Sequence, residues 1–352
     1  MRVWLTRGYS LRPIGAAMRA ALPGHEILLS GIDPCPEGGE TVIEPDPVGA
    51  AGYLAFVRAT VAARGVDLVV PTRRAALLDR ARASIGCRVE TAAAADALDT
   101  IGDKLAFADA LAGNPLLAPT LPVRSAHDFE AGLAELAARG LRACVKPARG
   151  VNGIGFLAFT DRPRLAQLAE PERRETRPDT FAAALREAER EGACPAHVLM
   201  ELLPGEEVSV DALAWRGTLL AHAARTKVSE REQRLSTDHP LAPHVKALVE
   251  RFALHGLVSV QFRHDARGAP RLLEINPRPA GGCTFAEAAG CGLIADWARL
   301  LVGEIRPHEV RPRRVEAVLH RDEGRRVETL DADAASPPGG ASPAPAHDRC
   351  AA

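Results

Sequence analysis

The residues whose chemistry is easiest to interpret lie in the segment LVSVQFRHDARGAPRLLEINPRPAGG, residues 257–282, which contains two β-type runs. A polar turn separates the runs, so they are predicted to pair as an antiparallel hairpin. If the loop is centred on that turn, Gln261 lies opposite Glu274 and Ser259 lies opposite Asn276. Opposed residues share a face of the sheet, with Cβ atoms roughly 5 Å apart. Carboxylate and amide oxygens placed in this way are suitable ligands for Mg²⁺.

Side-chain alternation along the second run extends this polar group. It places Glu274, Asn276 and Arg278 on one face and Leu273 and Ile275 on the other. Burying a carboxylate and amides without partners is costly, which argues against a core position. An arginine beside a metal site would bind phosphate oxygens. Considered alone, the hairpin could equally present an exposed polar face with an Arg–Glu ion pair.

A glycine-rich turn follows an apolar strand in ACVKPARGVNGIGF, residues 143–156. Lys146 stands at the end of the strand, ahead of Gly150, Gly153 and Gly155. Glycines let backbone N–H groups approach a phosphate closely, and such a loop can close over it as a lid. A plain β-hairpin turn is the alternative for this segment alone.

The third segment of interest is HVLMELLPGEEVSVDALAW, residues 197–215. A purine needs an apolar slot with a backbone carbonyl and an N–H group at its edge. Glu201, Leu202 and Leu203 would supply both, and the Glu207 carboxylate would accept hydrogen bonds from ribose hydroxyls. Considered alone, the segment is also compatible with an ordinary pair of strands joined by an exposed turn.

The composition excludes several classes of protein. The 352 residues are 47% hydrophobic and 25% charged, which predicts a soluble, folded chain of two or three domains. A net charge of −1 gives no general attraction to nucleic acid or to anionic membranes. The apolar run near the start is broken by Arg19, so neither export nor membrane spanning is expected. Seven cysteines form no CxxC pair, which favours reduced thiols in the cytoplasm.

The elements that must position these residues alternate along the chain. Short β runs and alanine-rich helical stretches up to about residue 98 predict an α/β domain with a parallel, Rossmann-like sheet. Its first glycine loop lacks GxGxxG spacing, so a dinucleotide site there is poorly supported. Residues 167–192 are highly charged and are interpreted as a solvated excursion without chemistry. The predicted divisions are 1–100, an N-terminal domain; 101–140, linker helices; 141–200, a lid subdomain; 201–325, a catalytic subdomain; and 326–352, a disordered tail.

Together with IGDKLAF at residues 101–107, the order and spacing of these segments resemble the ATP-grasp superfamily between residues 100 and 300. The run VQFR…LLEINPRPAGG is most similar to the synthetase halves of the carbamoyl-phosphate synthetase large chain and to related carboxylate–amine ligases. The resemblance implies an α/β ATP-grasp fold: a Rossmann-like N-terminal domain, a lid subdomain and a C-terminal antiparallel sheet with helices. It also implies ATP and Mg²⁺ as cofactors, with Mn²⁺ as an alternative.

The resemblance further implies roles for single residues. Arg278 matches the phosphate-contacting arginine, and Lys227, or Arg225 in its place, fits a third phosphate-binding cation. Only four of the 44 basic residues are lysine, and three of the four would then share one task. Many relatives carry a carboxylate at the position of Gln261, which leaves the number of Mg²⁺ ions open. The implied nucleotide-binding residues are Lys104, Lys146, Gly150, Gly153, Gly155, Glu201, Leu202, Leu203 and Glu207, and the implied metal ligands are Gln261, Glu274 and Asn276.

The implied activity is that of an ATP-dependent ligase, which joins a carboxylate to an amine or a thiol through an acyl phosphate and releases ADP and phosphate. Two alternatives stay open: a bicarbonate-activating enzyme similar to carbamoyl-phosphate synthetase, and a non-catalytic ATP-binding module. The expected partners are small-molecule carboxylates and amines, with no nucleic acid and no membrane, and a homodimer stays open. The substrate pocket is expected between the N-terminal domain, residues 226–238 and the segment after Arg278.

Overall fold

Three β-sheets organise the part of the chain that the structure describes. The structure is a computed structural model, and it describes residues 1–8, 10–31, 41–45, 49–150, 153–229 and 231–320. One compact unit spans Met1–His320. The predicted tail at 326–352 lies outside the described residues. None of the helices in the described ranges is long and apolar enough to cross a membrane.

The N-terminal sheet is parallel and carries helices on both faces. Its elements are β1 (Arg2–Leu5), α1 (Leu11–Ala21), β2 (Glu26–Gly31), β3 (Thr41–Ile43), α2 (Ala50–Arg64), β4 (Leu68–Val70), α3 (Ala75–Arg80) and β5 (Arg88–Val89). The strand order is β3-β2-β1-β4-β5. Successive side chains of β1 point to opposite faces of the sheet. Val3 and Leu5 pack with α1, whereas Trp4 packs with Tyr53 and Val57 of α2. The predicted parallel α/β architecture of this segment is confirmed.

Two short helices lead from this domain to the rest of the chain, namely α4 (Ala95–Gly102) and α5 (Lys104–Ala110). Asp103 caps α5, because its side chain accepts hydrogen bonds from the N–H groups of Leu105 and Ala106. Leu98, Ile101 and Phe107 bury the apolar side of this pair against the C-terminal sheet. Lys104, the first residue of α5, is therefore held at a fixed place beside that sheet.

The second sheet contains most of the segment 141–200 predicted as a lid subdomain, and it is called the lid sheet for that reason. Its elements are β6 (Thr120–Val123), α6 (Ala126–Ala138), β7 (Ala143–Pro147), β8 (Leu157–Phe159), α7 (Arg164–Ala169), β9 (Glu175–Thr176), α8 (Pro178–Arg190) and β10 (His197–Glu201), and the strand order is β6-β10-β7-β8-β9. The sheet thus begins within the segment predicted as linker helices. Local sequence pattern does not reveal this, because β6 pairs antiparallel with β10 from a distant part of the chain. Pro122 is tolerated in β6 because that strand is an edge strand.

The third sheet is antiparallel. Its elements are β11 (Glu207–Trp215), β12 (Thr218–Lys227), β13 (Glu232–Ser236), α9 (Ala242–Arg251), β14 (Gly256–His264), β15 (Pro270–Asn276), α10 (Cys283–Ala288), α11 (Leu293–Val302) and β16 (Glu316–His320), and the strand order is β15-β14-β11-β12-β13-β16. One face packs on α4, α5 and α9. On the other face, apolar residues at one end of the strands pack on α10, α11 and α1. Polar side chains occupy the other end of that face.

The hairpin of β14 and β15 has the predicted register at the end that carries the polar residues. Gln261 pairs with Glu274, and Ser259 pairs with Asn276. Alternation in β14 and a polar turn between the strands were sufficient to predict these pairs. The acid and the amides therefore share one face of the sheet.

A β-bulge interrupts this hairpin next to the polar pairs. Beyond Gln261 the register shifts, so that Phe262 pairs with Leu272 and Leu273 is the extra residue. Leu272 and Ile275 are buried in the core of the sheet, whereas Leu273 lines the same cavity as the acid and amides. The prediction that Leu273 shares a face with Ile275 is therefore wrong.

A buried ion pair fixes the centre of this sheet's polar face. Arg225 Nε donates to Asp211 Oδ2 at 2.8 Å, and Arg225 Nη1 donates to Gln233 Oε1 at 2.9 Å. Asp211 is fully buried and Arg225 nearly so. A Cβ atom on Gly282 would lie 2.1 Å from the guanidinium carbon, so the absence of a side chain there lets the chain pass over the pair.

We predict that Asp211→Ala lowers the free energy of unfolding by about 3–5 kcal/mol, because the substitution leaves a buried guanidinium without its counter-ion. Urea denaturation measures the loss. The matched control is Glu130→Gln, which breaks a half-exposed ion pair with Arg186 and should cost less than about 1 kcal/mol. Equal losses in the two variants would contradict the prediction.

Candidate functional site

A cavity of about 640 Å³ separates the lid sheet from the C-terminal sheet. Both sheets contribute polar and apolar side chains to it. Of the residues that the sequence singles out, those lining it are Lys146, Gly153, Glu201, Leu202, Leu203, Glu207, Arg225, Gln261, Glu274, Asn276 and Arg278. Segments far apart in sequence therefore meet at one site. Lys104, Gly150, Gly155 and Lys227 are not part of this lining.

The acid and amide residues form a compact ligand group on the wall made by β14 and β15. Asn276 Nδ2 donates to Glu274 Oε1 at 3.1 Å, which leaves the amide oxygen of Asn276 as an acceptor. In the described ranges, no group of three or more His, Cys, Asp or Glu residues could hold a metal ion. The donor set is therefore one carboxylate and two amides. It suits Mg²⁺, which takes few protein ligands and completes its shell with water and phosphate oxygens.

Two lysines stand close to this ligand group. Lys146, on β7, lies with its Nζ 5.7 Å from the centre of the Phe156 ring. Lys104 Nζ donates to the Gly150 carbonyl at 3.2 Å. Burial lowers the pKa of Lys104, the charge of Glu274 raises it, and the charge of Lys146 lowers it. The pKa of Lys104 thus responds to both neighbours, and an anion bound here would favour its protonated form.

Contacts on either side connect the glycine-rich turn to helix α5 and to the lid sheet. Gly155 has a left-handed φ of 75°, and a Cβ atom there would lie 2.6 Å from Pro147 Cγ. Arg174 donates from Nη1 to the Gly153 carbonyl at 3.1 Å, and Arg149 forms an ion pair with Asp103 at 3.0 Å. The turn is therefore anchored at one side to α5 and at the other to the lid.

An apolar slot lies where β10 ends. Leu202, Leu203, Phe156, Met200 and Leu273 belong to one apolar cluster there. The N–H groups of Glu201 and Leu202 already donate to the carbonyls of Pro119 at 3.2 Å and Arg142 at 2.7 Å, so the N–H group of Leu203 is the one available at the edge of the slot. Such a slot, with backbone groups at its edge, matches the requirements of a purine ring.

Two buried titratable groups flank this slot. Burial raises the pKa of the Glu201 carboxyl group. Burial also raises the pKa of the Cys144 thiol to about 11, and Cys144 Sγ lies 3.7 Å from the Glu201 carbonyl oxygen. The thiol is therefore protonated at neutral pH, and it acts as an apolar wall of the slot rather than as a nucleophile.

The carboxylate of Glu207 lies at the entrance, at the start of β11. Its cross-strand partners are Lys227 on β12 and Arg263 on β14. Opposed residues share a face, so the three charged side chains extend the polar face toward the rim. Lys227 is exposed, and it lies on the cavity side of the sheet without lining the cavity.

Arg225 and Arg278 line one end of the cavity. The guanidinium of Arg225 is held by Asp211 and Gln233, so its position is fixed before any ligand binds. Arg278 follows β15 and donates from Nη1 to the Pro279 carbonyl at 3.2 Å. Gly281 and Gly282 line the same end. This end therefore offers cations and exposed backbone.

Several lining residues were not found from the sequence. Ser209 and Arg263 lie two positions from Glu207 and Gln261, so strand alternation could have identified them. Arg173 and Arg174 also line the cavity, and they belong to the charged segment 167–192, for which no functional role was predicted. No local signal marks them, because only the pairing of β8 with β9 brings them to the cavity.

Comparisons with known proteins identify the fold of the chain. A family model described as "ATP-grasp in the biosynthetic pathway with Ter operon" matches residues 193–323. The structure is similar to that of L-amino acid ligase from Bacillus licheniformis, with 15% identity and a TM-score of 0.60 over 88% of this chain and 77% of that one. The chain has the ATP-grasp fold. No curated protein matches its sequence.

Two further structures support the ATP-grasp fold. N5-carboxyaminoimidazole synthetase from Staphylococcus aureus gives 14% identity and a TM-score of 0.59, over 86% of this chain and 77% of that one. Biotin carboxylase from Campylobacter jejuni gives 11% identity and a TM-score of 0.61, over 88% of this chain and 73% of that one. The predicted fold class is thereby confirmed. The family match includes residues 201–207 and the hairpin of β14 and β15, whereas Lys104, Lys146 and the glycine-rich turn lie before it.

Proposed function

We propose that this chain is an ATP-dependent ligase, which activates a carboxylate as an acyl phosphate, transfers the acyl group to an amine or a thiol, and releases ADP and phosphate. The observation that carries the proposal is that cationic groups and an acid–amide ligand group converge beside one purine-sized slot. Lys146 on the lid sheet and Glu274 with Asn276 on the C-terminal sheet line the same cavity. A polyphosphate with its metal needs both kinds of group.

The nucleotide would lie along the cavity. Its adenine occupies the slot beside Glu201, Leu202 and Leu203, and its ribose hydroxyls donate to Glu207. Lys104 and Lys146 then bind the phosphates, and the glycine-rich turn at 150–155 covers them. This orientation is supported by the apolar character of the slot at one end and by the lysines beside Glu274 at the other.

Gln261, Glu274 and Asn276 would hold Mg²⁺, which neutralises charge on the phosphates when it is bound. Arg278 lines the cavity next to them and would bind the transferred phosphoryl group. The number of ions stays open in this proposal, because position 261 supplies an amide rather than a carboxylate.

The proposed reaction needs no nucleophile from the protein. A carboxylate oxygen of the substrate attacks the γ-phosphorus of ATP, the bond from that phosphorus to the β–γ bridging oxygen breaks, and ADP leaves with the electron pair. The amine nitrogen then attacks the acyl carbon, phosphate leaves, and the nitrogen loses a proton to solvent. Charge repulsion opposes the first step, so the lysines and Arg278 lower its barrier by neutralising the anions. Exclusion of water by the closed lid protects the acyl phosphate.

Bicarbonate is the second candidate substrate. It is favoured by structural similarity to a biotin carboxylase domain whose structure contains MgADP, ADP and bicarbonate, at 13% identity and a TM-score of 0.59. In that case the same cations would assist attack of a bicarbonate oxygen on the γ-phosphorus, and the product would be a carboxylated or carbamoylated acceptor.

Lys146→Met should weaken binding of magnesium ATP by about tenfold to a hundredfold, because it removes one charge-assisted contact to the phosphates. Isothermal titration calorimetry measures the change. Lys246→Met is the matched control, since Lys246 is exposed on α9 and pairs with Glu250. If both variants bind ATP as wild type does, the assignment of Lys146 is wrong.

Glu274→Gln should lower ADP release by about 100-fold or more, since it removes the only carboxylate of the proposed metal ligand group. The free energy of unfolding should change little, because the amide keeps the size of the side chain. Glu206→Gln, at an exposed carboxylate outside the cavity, serves as the control and should turn over normally. Near wild-type turnover in Glu274→Gln would mean that the hairpin has been assigned wrongly.

The reaction itself is tested by incubating the protein with magnesium ATP and pools of carboxylates and amines, with and without bicarbonate. We expect ADP release and a product whose mass equals carboxylate plus amine minus water. Release of AMP would refute the acyl-phosphate proposal. ADP release that requires bicarbonate would select the second candidate, and ATP binding without turnover in any pool would indicate a binding module.

A further inference from the structure

A second cavity, of about 330 Å³, adjoins the proposed site of phosphoryl transfer. Glu274, Asn276 and Arg278 line it as well as the larger cavity. Its other walls come from the loop after β4 in the N-terminal domain and from α4 and α5. A molecule bound there would therefore lie beside the proposed γ-phosphate position.

The N-terminal wall of this cavity is cationic. Arg73 and Arg74 are adjacent, exposed and part of its lining. Among the residues that the structure describes, no carboxylate lies within ion-pair distance of either guanidinium. Arg74 is oriented by Tyr53, whose ring centre lies 4.6 Å below the guanidinium carbon. Neither arginine is part of the nucleotide site proposed above.

The charges around the cavity are unbalanced. Of the described residues that line it, four are cationic, namely Arg73, Arg74, Lys104 and Arg278, and one, Glu274, carries a carboxylate. If Glu274 binds a metal ion, the local charge becomes still more positive. Such a concentration of positive charge raises the local concentration of anions and strengthens their binding.

The remaining wall is apolar. Leu98, Ile101 and Phe107 line it from α4 and α5. A ligand that fills this cavity therefore needs an apolar body as well as charge. Bicarbonate and acetate would leave most of the volume of about 330 Å³ empty.

We propose that this cavity binds the carboxylate substrate, and that the substrate is an organic dianion: its reacting carboxylate lies near Arg278, and a second anionic group, a carboxylate or a phosphate, binds Arg73 and Arg74. The inference rests on the proposed function for the identity of the reacting group. The arginine pair itself is a binding feature that calorimetry can test without turnover.

The test uses three probes that share a four-carbon carboxylic acid and differ only at the far end: butyrate, glutarate and 4-phosphonobutyrate. Each is titrated calorimetrically into the full chain saturated with Mg²⁺ and a non-hydrolysable ATP analogue, so that the phosphate site is already occupied. We expect at least one dianion to bind about tenfold or more tightly than butyrate, the gain expected for one charge-assisted contact. A preference for the phosphonate indicates a phosphorylated substrate, and a preference for glutarate indicates a dicarboxylate.

The variant Arg73→Gln/Arg74→Gln should lose this preference and bind all three probes like butyrate, while affinity for the ATP analogue stays unchanged. Arg124→Gln/Arg190→Gln removes the same charge from two exposed lid residues outside both cavities and should keep the preference. Equal binding of the three probes to the wild type, or a preference that survives in the Arg73/Arg74 variant, overturns the inference. Either result leaves the ligase proposal standing, whereas failure of the ATP analogue to bind counts against the proposed nucleotide site itself.

Discussion

Mutual stabilisation of opposite charges between α5, the lid sheet and the C-terminal sheet is the constraint on which the rest of the site depends. Lys104 and Lys146 repel each other. The charge of Lys146 lowers the pKa of Lys104, and the charge of Glu274 raises it. A triphosphate and its metal would satisfy all three groups at once. Helix α5 contributes Lys104, the lid sheet Lys146 and the C-terminal sheet Glu274, so the arrangement exists only when these three parts are assembled.

Ion pairs and hydrogen bonds to two carboxylates, those of Asp103 and Asp211, hold the elements around the site in place. Asp103 caps the helix that begins with Lys104 and also binds Arg149, so one carboxylate joins α5 to the strand end that carries the glycine-rich turn. Asp211 holds Arg225 beneath Gly282 in the same way. Such fixed side chains lose little entropy when a ligand binds, which is the general advantage of a preorganised site.

Short-range pattern in the sequence was sufficient for part of this site. The pairs of Gln261 with Glu274 and of Ser259 with Asn276 were predicted correctly, because alternation and one polar turn determine a hairpin register. The same reasoning failed at Leu273, since a bulge inserts a residue without any clear compositional mark. Strand β6 and the cavity-lining Arg174 were missed for another reason: their positions depend on pairings between distant segments, which local pattern does not encode.

The bulge at Leu273 has a consequence for how such a site can change. Leu273 contributes to the apolar slot, and the next residue is the carboxylate proposed to hold the metal. A change of backbone at this one point would move the base-binding surface and the ion-binding surface together. If the proposed site binds ATP and Mg²⁺ as inferred above, selectivity for the nucleobase and affinity for the ion would thus be coupled through this bulge, and a variant that improves one would be constrained by the other.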